Sequence, residues 1–325
     1  MTPLRFEQMY QDEWAELEAL LDAVSGRKAG AQHTHVSGAL AAALYRRACE
    51  HLALARARAY PAYIVDRLER ITATAHQRIY HRREFGIARV KRLLAVDFPV
   101  AVRAHRRYVA LAAALFLVPT IVIGVLVYLR PELILSVVSS DTAAEFEQMY
   151  SPSAHSIGRM RTANTDWIMF GYYIRNNVGV AFQCFAGGLF VGLGSIFFLA
   201  MNGAFGGALA GYLTERGLGS TFYSFVATHS AFELTAIVLA GAAGLRLGHA
   251  LLAPGRLTRV HALVLASRDA VVIVYGVTAM LFVAAGVEAF WSSANWLSPT
   301  LKYGVASLCW AAVFGYFIFQ GRRAD

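Results

Sequence analysis

Charge is scarce in this sequence. Asp, Glu, Lys and Arg make up only 16% of its 325 residues, against about 25% in a typical soluble domain. Hydrophobic residues make up 57%, for a mean hydropathy of +0.46. That balance excludes a wholly soluble chain. The 20 Phe, 15 Tyr and 5 Trp exclude a disordered or fibrous one, because they demand burial in protein or lipid. Cysteine is scarcer still. Cys49, Cys184 and Cys309 form no CxxC and no Cys/His ligand spacing, which argues against a disulfide framework or a structural zinc site. The first residues, MTPLRFEQMYQDEW, carry acids and lack the apolar core of about 7–15 residues that a signal peptide needs. The N-terminus is therefore expected to stay in the cytoplasm.

The charges present are unevenly placed. Residues 1–107 hold 18 of the 30 Lys and Arg and 11 of the 21 Asp and Glu, within a formal net charge of +9. This reads as a basic helical domain at a membrane surface rather than a nucleic-acid binder. In Leu4–Val24 the apolar residues Phe6, Met9, Leu17, Leu20, Leu21 and Val24 recur at helical steps. A Gly/His-rich break at 25–35 ends that helix. Ser37–Ala59 and Pro61–His81 follow as two more, jointed at Tyr60-Pro61. Asp97, with Pro99 in the first turn, is expected to N-cap a helix running through Arg103, Arg106 and Arg107 into the bilayer.

Beyond residue 107 long uncharged runs dominate. Tyr108–Leu129 suits one span, with a kink expected at Pro119. Asn176–Thr214 holds no charge over 39 residues, roughly 58 Å of helix and nearly two bilayer thicknesses. The chain must turn within it, and Asn202-Gly203 is the strongest turn signal. The expectation is a span at Asn177–Met201 and a short crossing or re-entrant half-helix at Gly203–Leu213. Further spans are expected at Thr221–Leu245, Ala270–Val287 and Tyr303–Gln320. The fold class is all-α: a polytopic membrane bundle of about six apolar segments, one short or re-entrant, in residues 108–325. A cytoplasmic helical domain precedes it in residues 1–107. Placing both termini in the cytoplasm puts most of the basic residues on that side.

Glycines recur every four residues at Gly188 and Gly192, at Gly203, Gly207 and Gly211, and at Gly244 and Gly248. At that step they line one helix face and let backbones approach, so a packing role is expected. No Gly-rich phosphate loop is present.

His229 and Glu233, four apart in an apolar run, share one helix face. Ionisable groups inside a span are costly and are functional hypotheses by default. Three readings stay open for this pair. One is an interhelical hydrogen-bond clamp, to Asn176, Asn177 or Asn202. The second is a proton or ion relay. The third is a catalytic or metal site, disfavoured because zinc hydrolases need three protein ligands and the stretch is not HExxH. Glu288 is a second acid near the end of its segment, solvated or paired with Lys302. Arg246, Arg256, Arg259 and Arg268 are expected at lipid headgroups or a cytoplasmic partner. Trp167, Tyr172, Tyr173, Trp291 and Trp296 are expected as interfacial anchors.

The run FGYYIRNNVGVAFQCFAGGLFVGLGSIFFLAMNGAFGGALAGYL, followed by HSAFELTAIVLAGAAGLRLG and LLAPGR, resembles the stage II sporulation protein M family. NNVG, AGG, NG, HxxxE and PGR occur in the family's order over Phe170–Arg256, with a weaker likeness from about Phe98 to Phe290 that takes in VEAF. The resemblance implies a polytopic component of a peptidoglycan-remodelling complex, an anchor or scaffold that acts with sporulation proteins D and P rather than a hydrolase. The basic N-terminal domain and a further apolar segment place the chain with the family's longer, non-sporulating type. The expected function is thus a non-enzymatic envelope scaffold with no cofactor and no catalytic residues. Its partners would be the bilayer, envelope membrane proteins or peptidoglycan enzymes, and a second copy in a homo-oligomer. The alternatives are a transporter or flippase using His229 and Glu233, and an intramembrane hydrolase.

Overall fold

A computed structural model describes residues 1–24, 38–80, 86–152 and 166–322, and among them every regular element is helical. The Gly/His-rich break at 25–35 lies outside the described residues. The chain forms two compact units, Met1–Arg89 and Val90–Asp325.

The first unit contains α1 (Pro3–Val24), α2 (Gly38–Ala57) and α3 (Ala62–Tyr80). Each carries an apolar stripe at three- and four-residue spacing, and the stripes meet in a core of Phe6, Trp14, Leu17, Leu44, Ile64 and Leu68. Ala59 takes a positive φ of 47° at the joint before Pro61, and the Tyr60 hydroxyl donates to Met1 O at 2.9 Å. Ion pairs at the rim, Arg67–Glu18 at 2.9 Å and Arg47–Glu13 at 2.7 Å, are partly exposed and set register more than stability.

Inside this unit the Trp14 indole donates to His51 Nδ1 at 3.1 Å. Burial holds the His51 pKa below its ordinary 6.5; Glu13 and Glu50 oppose that shift and Arg47 adds to it. The unfolded chain therefore binds a proton here before the folded chain does. Stability is full above pH 6.5 and falls as the pH drops towards the folded pKa. Hydrogen exchange of α1–α3 in the full-length protein should be faster at pH 5 than at pH 7.5 after correction for the intrinsic rate. His51→Gln should flatten that difference.

The boundary falls within α4 (Ile87–Arg92), and a π-helical turn at Leu93–Asp97 and α5 (Phe98–Ala104) follow in the second unit. Asp97 does not cap a helix. Its backbone is already helical (φ −65°, ψ −41°), and its side chain makes no capping bond. The break falls instead at His105 (φ −102°, ψ 21°), whose Nδ1 pairs with Ala101 O at 2.8 Å. The units also divide at Arg89 rather than at residue 107. Phe98 is buried against Gly276 and Phe317, which ties α5 to the second unit.

Among the described residues five helices are long and apolar enough to cross a membrane: α6 (Arg106–Leu129), α9 (Leu193–Glu215), α10 (Gly219–Leu252), α11 with the π-helical turn after it (Arg259–Ser292), and α12 (Pro299–Phe319). Between α6 and α9 lie a 3-10 turn at Pro131–Ser136, α7 (Ser140–Met149) and α8 (Asp166–Ala186). The 21 residues of α8 extend about 31 Å, the thickness of a bilayer core, and pack against α9, α10 and α11. α10 is the central helix and touches α6, α8, α9, α11 and α12.

The turn expected at Asn202-Gly203 is absent. Asn202 sits inside α9, where its amide donates to Phe198 O at 2.7 Å, so the side chain satisfies itself within the helix. The chain turns instead at Gly187–Gly192, through a 3-10 turn and two successive positive φ values, 56° at Val191 and 87° at Gly192. The segment Gly203–Leu213 is thus neither short nor re-entrant; it is the second half of a 23-residue helix. α6 continues through Pro119, and Thr120 Oγ1 donates to Phe116 O at 2.8 Å.

Glycines set how closely these helices approach. A Cβ on Gly203, Gly207 or Gly211 would overlap the carbonyl oxygens of Phe116, Thr120 and Gly124 respectively, so α9 rests directly on the α6 backbone. Gly188 and Gly244 abut in the same way, as do Gly192 and Gly248, which pins the Gly187–Gly192 turn onto α10. At one end of the unit Arg103 Nη1 donates to Phe317 O at 3.1 Å and to Gln320 O at 2.7 Å. The start of α6 and the end of α12 therefore lie on the same side.

Candidate functional site: a buried histidine and carboxylate cluster

Helical periodicity places His229 and Glu233 on one face of α10, and that face turns inward. Their separation, Nε2 to Oε2, is 3.9 Å, too long for a hydrogen bond. The third member comes from 55 residues further along the sequence. α11 ends in a π-helical turn, Val287–Ser292, which carries Glu288 and Ser292 to the same place. Such turns recur at functional sites because the extra residue re-aims side chains that an α-helix would point elsewhere. Glu288 is 8% exposed and is not solvated; it makes no ion pair with Lys302 among the described residues. Lys302, 1% exposed, donates instead to Ser292 O at 2.7 Å.

One donor atom from each of His229, Glu233 and Glu288 lies within 4.8 Å of the others. The other imidazole nitrogen, Nδ1, pairs with Ser292 Oγ at 3.0 Å. Asn177 on α8, 4% exposed, lies beside both carboxyl groups, and its Oδ1 accepts from Asn176 Nδ2 at 2.9 Å. Glu233 Oε2, Glu288 Oε2 and Asn177 Nδ2 are buried and, among the described residues, have no partner in hydrogen-bond geometry. Phe225 stands edge-on to His229 at 5.2 Å and also packs on Tyr150, which closes the cluster towards α7. Burial holds the Tyr150 phenol above its ordinary pKa, and the Glu288 and Glu233 carboxylates raise it further.

The other sequence-derived positions fall elsewhere. Asn176 is exposed and stands outside this cluster, next to Asn177 on α8. With Arg175, Gln183, Asn202 and Tyr172 it lines an open groove of about 900 Å³ between α8 and α9. Asn202 contributes to that groove and not to the cluster. Arg246 is half-buried near the end of α10, while Arg256, Arg259 and Arg268 are exposed beside the α10–α11 connection. Trp167, Tyr172 and Trp296 are exposed, as anchors would be, but Tyr173 is buried and Trp291 half-buried.

Sequence reasoning missed Ser292. The available signal was its spacing of four from Glu288, which puts the two on one side of a helical turn.

A family model described as stage II sporulation protein M matches residues 112–293, a span that includes every member of this cluster. A second, described as a domain of unknown function (DUF8413), matches residues 4–81, the α1–α3 region. No curated protein and no solved structure matches the chain.

Proposed function

This chain belongs to the stage II sporulation protein M family, and we propose that it is a non-enzymatic integral membrane scaffold of a cell-envelope, peptidoglycan-remodelling complex. The observation that carries this reading is the backbone-to-backbone packing of the matched region. At Gly188, Gly203, Gly207, Gly211 and Gly244 the helices approach too closely for any side chain. A bundle locked along such seams suits a fixed platform better than one that must rock between two arrangements.

The bundle lies in the bacterial plasma membrane, with the α6 start and the α12 end facing the cytoplasm. Lys91, Arg92, Arg106 and Arg107 share that side with Arg256 and Arg259, as the positive-inside rule requires. Its partners are envelope membrane proteins or peptidoglycan enzymes.

The test is gentle detergent extraction of the full chain from its native membrane, followed by mass spectrometry. A stoichiometric peptidoglycan enzyme or envelope subunit is expected. A partner-free homo-oligomer would overturn the scaffold.

One observation favours a second reading, transport of an ion or lipid. The polar groove at Asn176 connects to the buried cluster through the Asn176–Asn177 hydrogen bond. On that reading Glu233→Gln abolishes flux in proteoliposomes while the protein stays assembled. Absence of flux of protons, lipids or peptidoglycan precursors in wild type would eliminate it.

A further inference from the structure

The structure assigns His229, Glu233 and Glu288 as a binding site for a divalent transition cation of the zinc class, held inside the bundle. The donor set is one imidazole nitrogen and two carboxylates with no sulfur, which suits Zn²⁺ and its neighbours. Three protein donors converge from α10 and the π-helical turn, all within 4.8 Å. Zinc–ligand bonds of about 2.0–2.2 Å would place tetrahedral donors roughly 3.4 Å apart. Closing the site therefore needs only about an ångström of glutamate rotamer adjustment.

Two independent observations point to a ligand. First, Glu288 Oε2 and Glu233 Oε2 are buried and, among the described residues, have no hydrogen-bond partner, and Glu288 as a whole is 8% exposed. Orphaned carboxylate oxygens in an apolar bundle are among the costliest groups a fold can retain. Among the described residues Lys302 makes no ion pair with either carboxylate; its ammonium donates to Ser292 O. A divalent cation would, because two carboxylates, a neutral imidazole and M²⁺ sum to zero charge.

Second, the histidine is already set as a ligand. Nδ1 pairs with Ser292 Oγ at 3.0 Å and Nε2 faces Glu233 Oε2 at 3.9 Å, so with the proton on Nδ1 the Nε2 lone pair points into the site. An outer hydrogen bond that orients the ring is the usual support of a metal-bound imidazole. Asn177 Nδ2, also unpartnered, lies beside the carboxylates and is placed to donate to an oxygen the metal leaves free. The cation would join α10 to the end of α11 at the point where α8 meets both.

The test uses full-length protein purified in detergent without chelators and without a polyhistidine tag. Elemental mass spectrometry should find about one zinc-class metal per chain. Stripping with a chelator and adding Co²⁺ should produce the visible absorption of a low-coordinate nitrogen and oxygen site. Ser292→Ala removes no metal-binding atom, only the hydrogen bond to His229 Nδ1, and should weaken Zn²⁺ binding about 10–100-fold. Glu288→Gln should abolish it in protein that still elutes as a single species. Two results would overturn the site: metal-free wild type that gains no Zn²⁺ above the Glu288→Gln level, or Co²⁺ spectra unchanged by Ser292→Ala and Glu288→Gln. Should Glu288→Gln not fold, wild-type stoichiometry and the Ser292→Ala affinity decide alone.

Discussion

Gly207→Leu is expected to abolish accumulation of the folded bundle. At this position a Cβ alone would overlap Thr120 O and its neighbouring backbone atoms, and those atoms belong to a helix main chain that cannot rotate away. Even Gly207→Ala should cost about 1–3 kcal/mol, the usual penalty of overpacking. Leucine forces α6 and α9 apart along the whole Gly203, Gly207 and Gly211 seam. The neighbouring Gly206 supplies the control. Nothing lies within 4 Å of a Cβ there, so Gly206→Ala should be tolerated and gains helix propensity. Membrane abundance, elution profile in detergent and thermal stability read both variants. A Gly207→Leu protein as abundant and monodisperse as wild type would show that the seam is not what holds α6 to α9.

Trp14→Ala should unfold the first unit. Trp14 is 1% exposed and packs on Phe6 while its indole bonds His51 and Arg67 lies over its ring. Removing a buried aromatic of this size costs about 3–5 kcal/mol, and small helical domains hold only about 5–15 kcal/mol in total. Peptides from α1–α3 should lose most of their protection against hydrogen exchange in the full-length protein, with α9 peptides in the same samples as the internal reference. Unchanged protection of α3 would mean that the core around Phe6 and Trp14 contributes little.

Much of this architecture is legible in the amino-acid sequence. α1, α2 and α3 begin and end within a few residues of the positions that apolar periodicity gave. The extents of α10 and α12 contain or nearly match the apolar runs Thr221–Leu245 and Tyr303–Gln320. The pairing of His229 with Glu233 followed from their spacing of four alone. The turn inside Asn176–Thr214 did not emerge, because Asn-Gly is a turn signal only where its polar groups need water or a tight bend. Inside α9 the Asn202 amide finds a carbonyl one turn back, and Gly203 is needed for contact with Phe116. The real turn depends on Val191 accepting a left-handed backbone, a conformation that a β-branched residue rarely adopts.

Composition and periodicity by themselves determined an all-α membrane chain with a charged helical unit at its front, since apolar runs and 3.6-residue stripes are local properties of the sequence. The cluster was decided only by tertiary structure. Glu288 and Ser292 reach His229 because α11 ends in a π-helical rather than an α-helical turn and packs antiparallel beside α10, and Asn177 arrives from a third helix. Sequence spacing is a reliable guide to which side chains share a helix face. Which faces then meet depends on the close approach of backbones across glycine seams, and that is a property of the whole packed bundle.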